Sequence, residues 1–192
     1  MSLDVLATRT STYIALLRGI NVGGRNKLPM AQLRALVSAN ECDDVTTHIQ
    51  SGNVVFNASV KAPALERRLE LAIEKEFGFP VPVLVRTAAV WSQQAAANPF
   101  PRQSEATPNW VQLLQSKKKP ASKAAVELQA RATRGEEIAH IDDALWVHYP
   151  NGIGDSKLTS ALIDRCVGST VTARNWKTVE KLRALAATIA ST

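Results

Sequence analysis

Apolar positions along the chain switch between a strand rhythm and a helical rhythm in a regular order. Ile14 to Leu17 is a continuous apolar run, the pattern of a buried strand, and it stops at Arg18. Pro29 to Asn40 carries Met30, Leu33, Leu36 and Val37 at helical spacing, which predicts an amphipathic helix. Val45 to Ile49 and Val54 to Phe56 are rich in β-branched residues, and Gln50-Ser51-Gly52-Asn53 between them predicts a hairpin turn. Pro63 opens a second helix with Leu65, Leu69, Ile73 and Phe77 four apart, and Gly78 stands where a C-terminal cap belongs. Val81 to Val85 completes a β-α-β-β-α-β order. That order predicts a ferredoxin-like unit, in which two helices cover one face of a four-stranded antiparallel sheet.

The second half repeats the order. Ala88 to Ala97 predicts an alanine-rich helix, and Asn98 to Pro108 a connector. Trp110 to Leu114 reads as a strand and Pro120 to Ala132 as a helix. Ile138 to Ile141 and Leu145 to Tyr149 read as a hairpin turned by Asp142-Asp143. A helix with Leu158, Leu162 and Cys166 follows, closed by Gly168, then a short strand Thr170 to Thr172. A last helix starts near Asn175, a good N-cap, and carries Val179, Leu182, Leu185 or Ala186, and Ile189; it is expected to seal an exposed sheet or the junction of the halves. The prediction is an α+β chain of two ferredoxin-like subdomains over 12–87 and 109–173, a helix and connector over 88–108 between them, and a C-terminal helix over 174–192. Residue identities do not visibly repeat, so the repeat is one of pattern.

Composition narrows the class. The 192 residues are 45% hydrophobic and 21% charged, a globular balance rather than a disordered one. No window offers the ~20 apolar residues of a membrane helix. Met1 to Thr12 has no apolar segment of the secretory kind, Met1 to Arg9 reads as a polar tail, and Cys42 and Cys166 stand far apart, so a reduced, cytoplasmic chain is expected. The net charge is +6, with 10 basic and 8 acidic side chains in residues 1–100 and 13 and 9 in residues 101–192. That excess favours anionic partners but lacks the dense basic runs of nucleic-acid arms. Lys117-Lys118-Lys119, beside Pro120, is a solvated turn.

Candidate chemistry gathers where the first apolar run ends. Gly19, Gly23 and Gly24 free the backbone, Asn21 lies among them, and Arg18, Arg25 and Lys27 surround the turn. A strand feeding such a loop into a helix can gather backbone N–H groups and cations around an anion. Equally, the glycines can serve a tight strand-to-helix connection with Arg18 paired internally. Neither a P-loop nor a dinucleotide-binding glycine spacing is present, and no cofactor signature is found. In a split β-α-β arrangement this loop is expected near the loop after the third strand, with Gln50 to Asn53 apart from it and serving as a turn.

Ser156-Lys157 is expected to open a helix, with Asp155 or Ser156 as its N-cap; a Ser-Lys nucleophile pair is disfavoured because neighbours on a helix diverge by about 100 degrees. Arg174-Asn175-Trp176-Lys177-Thr178 makes another helix start with cations close by, suited to a phosphate or simply capped by Asn175 with Trp176 packed inside. His48, His140 and His148 show no metal spacing, and neither cysteine has a nearby histidine. Asp43-Asp44, Glu136-Glu137 and Asp142-Asp143 read as turn and edge residues.

Ile14-Ala-Leu-Leu-Arg-Gly-Ile-Asn-Val-Gly-Gly24, Ile49-Gln-Ser-Gly-Asn-Val-Val-Phe56, Gly154-Asp-Ser-Lys-Leu158 and Thr172-Ala-Arg-Asn-Trp-Lys-Thr-Val179 together resemble the bacterial proteins grouped as domain of unknown function 1697. The resemblance spans about Thr12 to Ala187 and implies two ferredoxin-like subdomains; it implies no activity, cofactor or catalytic residue. Lys177 stands where the family pattern suggests a short polar residue.

The residues point first to a protein binding a phosphate-bearing ligand, a nucleotide or a nucleic acid. Two basic segments, Arg18 to Lys27 and Arg174 to Thr178, would converge on it at the subdomain junction. An enzyme acting on a small phosphorylated substrate is the alternative, with Arg18 and Lys157 as binders and Ser51, Asn53 or Ser156 in polar roles. A self-associating scaffold is the third reading. Reading single-stranded RNA on the sheet needs exposed aromatics, and Phe56, Trp110, Trp146 and Tyr149 are the ones in or beside strands.

Overall fold

The computed structural model describes residues 10–191, so the expected tail over 1–9 lies outside them. The element order is β1 (Ser11–Leu17), α1 (Met30–Ser38), β2 (Asp43–His48), β3 (Asn53–Ala58), α2 (Ala62–Phe77), β4 (Val83–Thr87), α3 (Ala88–Ala96), α4 (Pro101–Ala106), β5 (Val111–Ser116), α5 (Ala124–Gln129), β6 (Glu137–Ile141), β7 (Ala144–His148), α6 (Ser160–Val167), β8 (Val171–Asn175) and α7 (Trp176–Ala190). The protein is thus α+β, with two four-stranded antiparallel sheets ordered β2-β3-β1-β4 and β6-β7-β5-β8. Two compact units contain them: one reaches Ala88 and includes the chain from Leu185, and the other spans Ala89–Ala184.

In the first unit, alternate residues of the central strand, Tyr13, Ala15 and Leu17, join Val54, Phe56, Val83 and Val85 in a core closed by α1 and α2 through Leu33, Val37, Leu65, Leu69 and Ile73. Ile14 and Leu16, on the other face of β1, are buried as well. That is why the strand reads as an unbroken apolar run rather than an alternation. Gly78, at φ +77, ends α2 as expected.

Strand β4 lies at a sheet edge, and its backbone donors are occupied by α2. Glu66 Oε1 accepts from Val85 N at 2.8 Å and Glu70 Oε1 from Val83 N at 2.8 Å. Residues four apart on a helix lie on one face, so the two carboxylates stand along β4 and block further strand pairing. Asp164 of α6 does the same for Val171 N of β8 at 2.9 Å.

In the second unit, Leu114, Leu145 and Val147 pack with Ala124 and Leu128 of α5 and Ile163, Cys166 and Val167 of α6. Helix α3 is tied to α7 by Trp91 Nε1 donating to Val179 O at 3.1 Å, and to β5 by Gln115 donating to Gln94 at 2.8 Å. Trp146 and Trp176 rings lie 6.0 Å apart.

Several sequence expectations need correction. Helix α6 is capped by Thr159, whose Oγ1 accepts from Leu162 N at 3.3 Å, and not by Asp155 or Ser156. The helix expected over Pro120 to Ala132 narrows to Ala124–Gln129, and the connector after Asn98 contains α4, with Pro101 in its first turn. Strand β8 runs on to Asn175, whose Oδ1 nevertheless caps α7 by accepting from Thr178 N at 2.9 Å, as the sequence suggests.

Replacing Glu70 with Ala leaves a buried edge donor without its charged acceptor. We expect urea unfolding to show a loss of about 1–3 kcal/mol and faster amide exchange at Val83. Unchanged exchange there would mean that the carboxylate does not protect the edge.

Candidate functional site

Antiparallel pairing sends both neighbours of β1 away from the place where β1 ends. Leu17 N donates to Gly52 O at 2.8 Å, and Arg18 N to Pro82 O at 3.0 Å. The β1–α1 loop therefore emerges between the β2–β3 turn and the entrance to β4. This corrects the expectation that Gln50 to Asn53 lies apart: a turn that feeds β3 must meet the end of a β1 running the other way.

The loop folds into a small hairpin of its own. Val22 and Arg25 form a β-bridge, with Arg25 N donating to Val22 O at 3.0 Å and Asn21 N to Asn26 O at 3.1 Å. Gly23 and Gly24, at φ +58 and +75, fill the two turn positions that need positive φ in a tight two-residue hairpin. Asn21 locks the base: its Nδ2 donates to Leu28 O at 3.0 Å and to Gln50 O at 2.9 Å, and its Oδ1 accepts from Leu28 N at 2.8 Å. Asn26 Nδ2 adds a bond to Gly19 O at 3.0 Å. Buried Gly52, at φ +72, presses on this base so closely that a Cβ there would lie 2.6 Å from Leu17 Cβ and 2.7 Å from Ile20 Cδ1.

Amide side chains and backbone hold the loop, while Arg25 and Lys27 are exposed and Arg18 is half-buried. Arg34 of α1, which the sequence reading did not single out, donates to Thr47 Oγ1 of β2 at 2.7 Å. Residues Thr10 to Asn40 contain Arg18, Arg25, Lys27 and Arg34 and no carboxylate, and none occurs from Val45 to Leu65 either. These stretches of chain carry only basic charge, and the carboxylate on this side of the sheet is that of Glu70 in α2, which accepts from Val83 N next to Pro82. The turn beside the loop holds Ile49 at φ +50, a left-handed conformation that is rare for a β-branched residue. A groove of about 690 Å³ lies elsewhere, between α1 and α2, and its lining of Ala35, Leu36, Ala39, Arg68 and Leu71 includes none of the expected site residues.

The other expected residues belong to the second unit. Lys157 is exposed, and Ser156 Oγ donates to Glu136 Oε1 at 2.5 Å while accepting from Leu158 N at 3.2 Å. Glu136, expected at an edge, is buried. Burial works to raise its pKa, but the Ser156 hydroxyl and the backbone amides of Arg134, Glu136 and Thr133 outweigh it and hold the carboxyl below its ordinary value. Burial and the Glu136 charge push Tyr149 up to about 12. Ser156 thus joins the loop before β6 to the loop before α6.

Arg174 is buried, with its guanidinium donating to Thr172 Oγ1 and Ala173 O, each at 2.8 Å; burial lowers its pKa to about 10. Arg86 takes the matching place in β4, donating to Val85 O at 2.8 Å. Asn175 is used as the cap of α7 and also donates to Asn109 Oδ1 at 3.2 Å. Both cysteines are buried free thiols, and burial pushes Cys42 up to about 11. Among the described residues no group of three metal-ligating side chains occurs, and no helix is long and apolar enough to cross a membrane.

The model of the family described as Protein of unknown function (DUF1697) matches residues 10–146. The chain belongs to that family. The match includes the β1–α1 hairpin and the turn at Ile49, and it ends before Ser156 and Arg174. No curated protein matches the sequence. Among solved structures, this family member is similar to the conserved bacterial protein SP0830 from Streptococcus pneumoniae, with 20% identity, a TM-score of 0.68, and coverage of 93% of this chain and 99% of that one. At that identity the likeness is one of fold.

Gly52→Ala combines an unfavourable φ with overpacking against Leu17 and Ile20. It is expected to lower stability by about 2–4 kcal/mol in urea unfolding, and a loss well below 1 kcal/mol would show that the turn can move off the loop. A lowered Glu136 pKa contributes stability that is present above the ordinary carboxylate value, ~4.3, and lost as pH falls through the lower folded value. Ser156→Ala removes one of its donors, so this variant should be destabilised more at pH ~7 than at pH ~3. Equal destabilisation at both pH values would exclude the link.

Proposed function

We propose that the protein binds the phosphate backbone of nucleic acid through the β1–α1 hairpin. The carrying observation is the exposure of Arg25 and Lys27 on a hydrogen-bonded loop in a stretch of chain without carboxylates. Cations exposed along a surface loop suit an extended polyanion better than a small phosphorylated metabolite, which favours concave enclosure. Arg18 and Arg34 add positive charge at the base and flank. Gly23 and Gly24 leave the backbone of the turn exposed to such a ligand.

Binding rather than catalysis is favoured by the chemistry of Ser156. Its hydroxyl faces a carboxylate of lowered pKa, which is a poor general base near neutrality, and Lys157 points to no role beyond surface charge. The fold fits this reading. The order β2-β3-β1-β4 and its counterpart β6-β7-β5-β8 support two ferredoxin-like halves, of which the first carries the hairpin. Arg86 and Arg174 at matching strand positions support a shared structural task for the arginine that the sequence reading placed at a ligand.

Fluorescence anisotropy with a 20-base-pair DNA duplex across a salt series tests the proposal. The wild type should bind with log K falling linearly against log salt. The double variant R25A/K27A should lose about two phosphate contacts' worth of slope, roughly 1.8, weaken binding to all sequences alike, and keep its melting temperature. Absence of salt-dependent binding in the wild type, or an unchanged slope in the variant, would overturn it.

A further inference from the structure

Two large apolar side chains stand exposed where the β1–α1 loop meets the β2–β3 turn. Val22 is 67% exposed at the hairpin and Ile49 is 53% exposed at the adjoining turn. Each directly neighbours one partner of the bond from Asn21 Nδ2 to Gln50 O. Apolar residues of this size at the surface are ordinary when scattered. These two stand one residue on either side of a single hydrogen bond, at a base fixed by the Asn21 bonds and the close approach of Gly52. Ile49 also holds a positive φ, so an apolar β-branched residue stands at a position where Asn or Gly fits the backbone better.

Resting on the nucleic-acid reading above, we propose that Val22 and Ile49 form an apolar wedge that enters a base step of duplex DNA gripped by the surrounding cations. Proteins that kink duplexes insert aliphatic side chains between base pairs while cations hold the flanking phosphates. The exposed Arg25, Lys27 and Arg34 provide the cations on stretches of chain without carboxylates, while Glu70 of α2 is engaged by the Val83 amide at the start of β4. Single strands are the less suitable partner because they are gripped by stacking bases on exposed aromatic rings, and Tyr13 and Phe56 on this sheet are buried. The step that accepts the wedge is a flexible one, pyrimidine followed by purine.

The test uses the full chain and a 20-base-pair DNA duplex with a central TA step, 2-aminopurine beside the step, and a donor and acceptor dye at its ends. Binding of the wild type should raise 2-aminopurine fluorescence at least twofold and raise energy transfer between the ends. V22T/I49N replaces one side chain isosterically and the other by a residue that tolerates left-handed backbone, so the fold is kept. This variant should keep the salt slope of the wild type and, at saturating protein, lose both optical changes. A wild type that binds with neither change overturns the wedge while leaving the backbone grip standing, and a variant that retains the changes overturns the assignment to these residues. A wild type without salt-dependent binding overturns the grip itself, and the wedge with it.

Discussion

Antiparallel pairing of β1 with both β3 and β4 is the constraint on which the first unit depends. It makes the strand central, occupies both its edges, and forces its C-terminal end to meet the start of each neighbour. The amide of Leu17 therefore finds Gly52, and that of Arg18 finds Pro82. A loop leaving such a point is braced on two sides by segments distant in sequence. Gly52 shows how tight the brace is, because the space beside it that a Cβ would fill is already taken by Leu17 and Ile20.

The loop meets its own hydrogen-bonding needs with neutral groups. Asn21 and Asn26 satisfy backbone donors and acceptors that a projecting turn would otherwise leave to water. Charged side chains are not needed for that work, so Arg25 and Lys27 face solvent. Arginines elsewhere are used differently. Arg86 and Arg174 are turned onto carbonyls of their own strands, and at Arg174 burial is complete enough to depress even a guanidinium. Sequence alone does not separate Arg25 from Arg174, since both stand beside an asparagine.

Carboxylates serve mainly as structural acceptors. Glu66 and Glu70 occupy the outer edge of β4, Asp164 that of β8, and Glu136 gathers a hydroxyl and backbone amides where two loops meet. Each replaces a backbone partner that the local chain does not supply. The use of helical carboxylates on edge strands also guards both sheets against further pairing.

The local pattern determined most of the architecture. Apolar runs marked the strands, three- and four-residue spacing marked α1, α2 and α7, and Gly78, Gly168 and Asn175 marked helix ends, because these signals depend on a few consecutive residues. The basic glycine-bearing loop was visible for the same reason. What tertiary structure alone decided was which segments meet. Ser156 left its expected helix because Glu136, twenty residues earlier, takes its hydroxyl. Arg174 went inward because its strand continues past Thr172 into a covered sheet. Ile49 came to the loop because strand direction, a property of the whole sheet, placed the β2–β3 turn against the end of β1. Spacing along a chain records local conformation, whereas these contacts arise from long-range packing that no short stretch encodes.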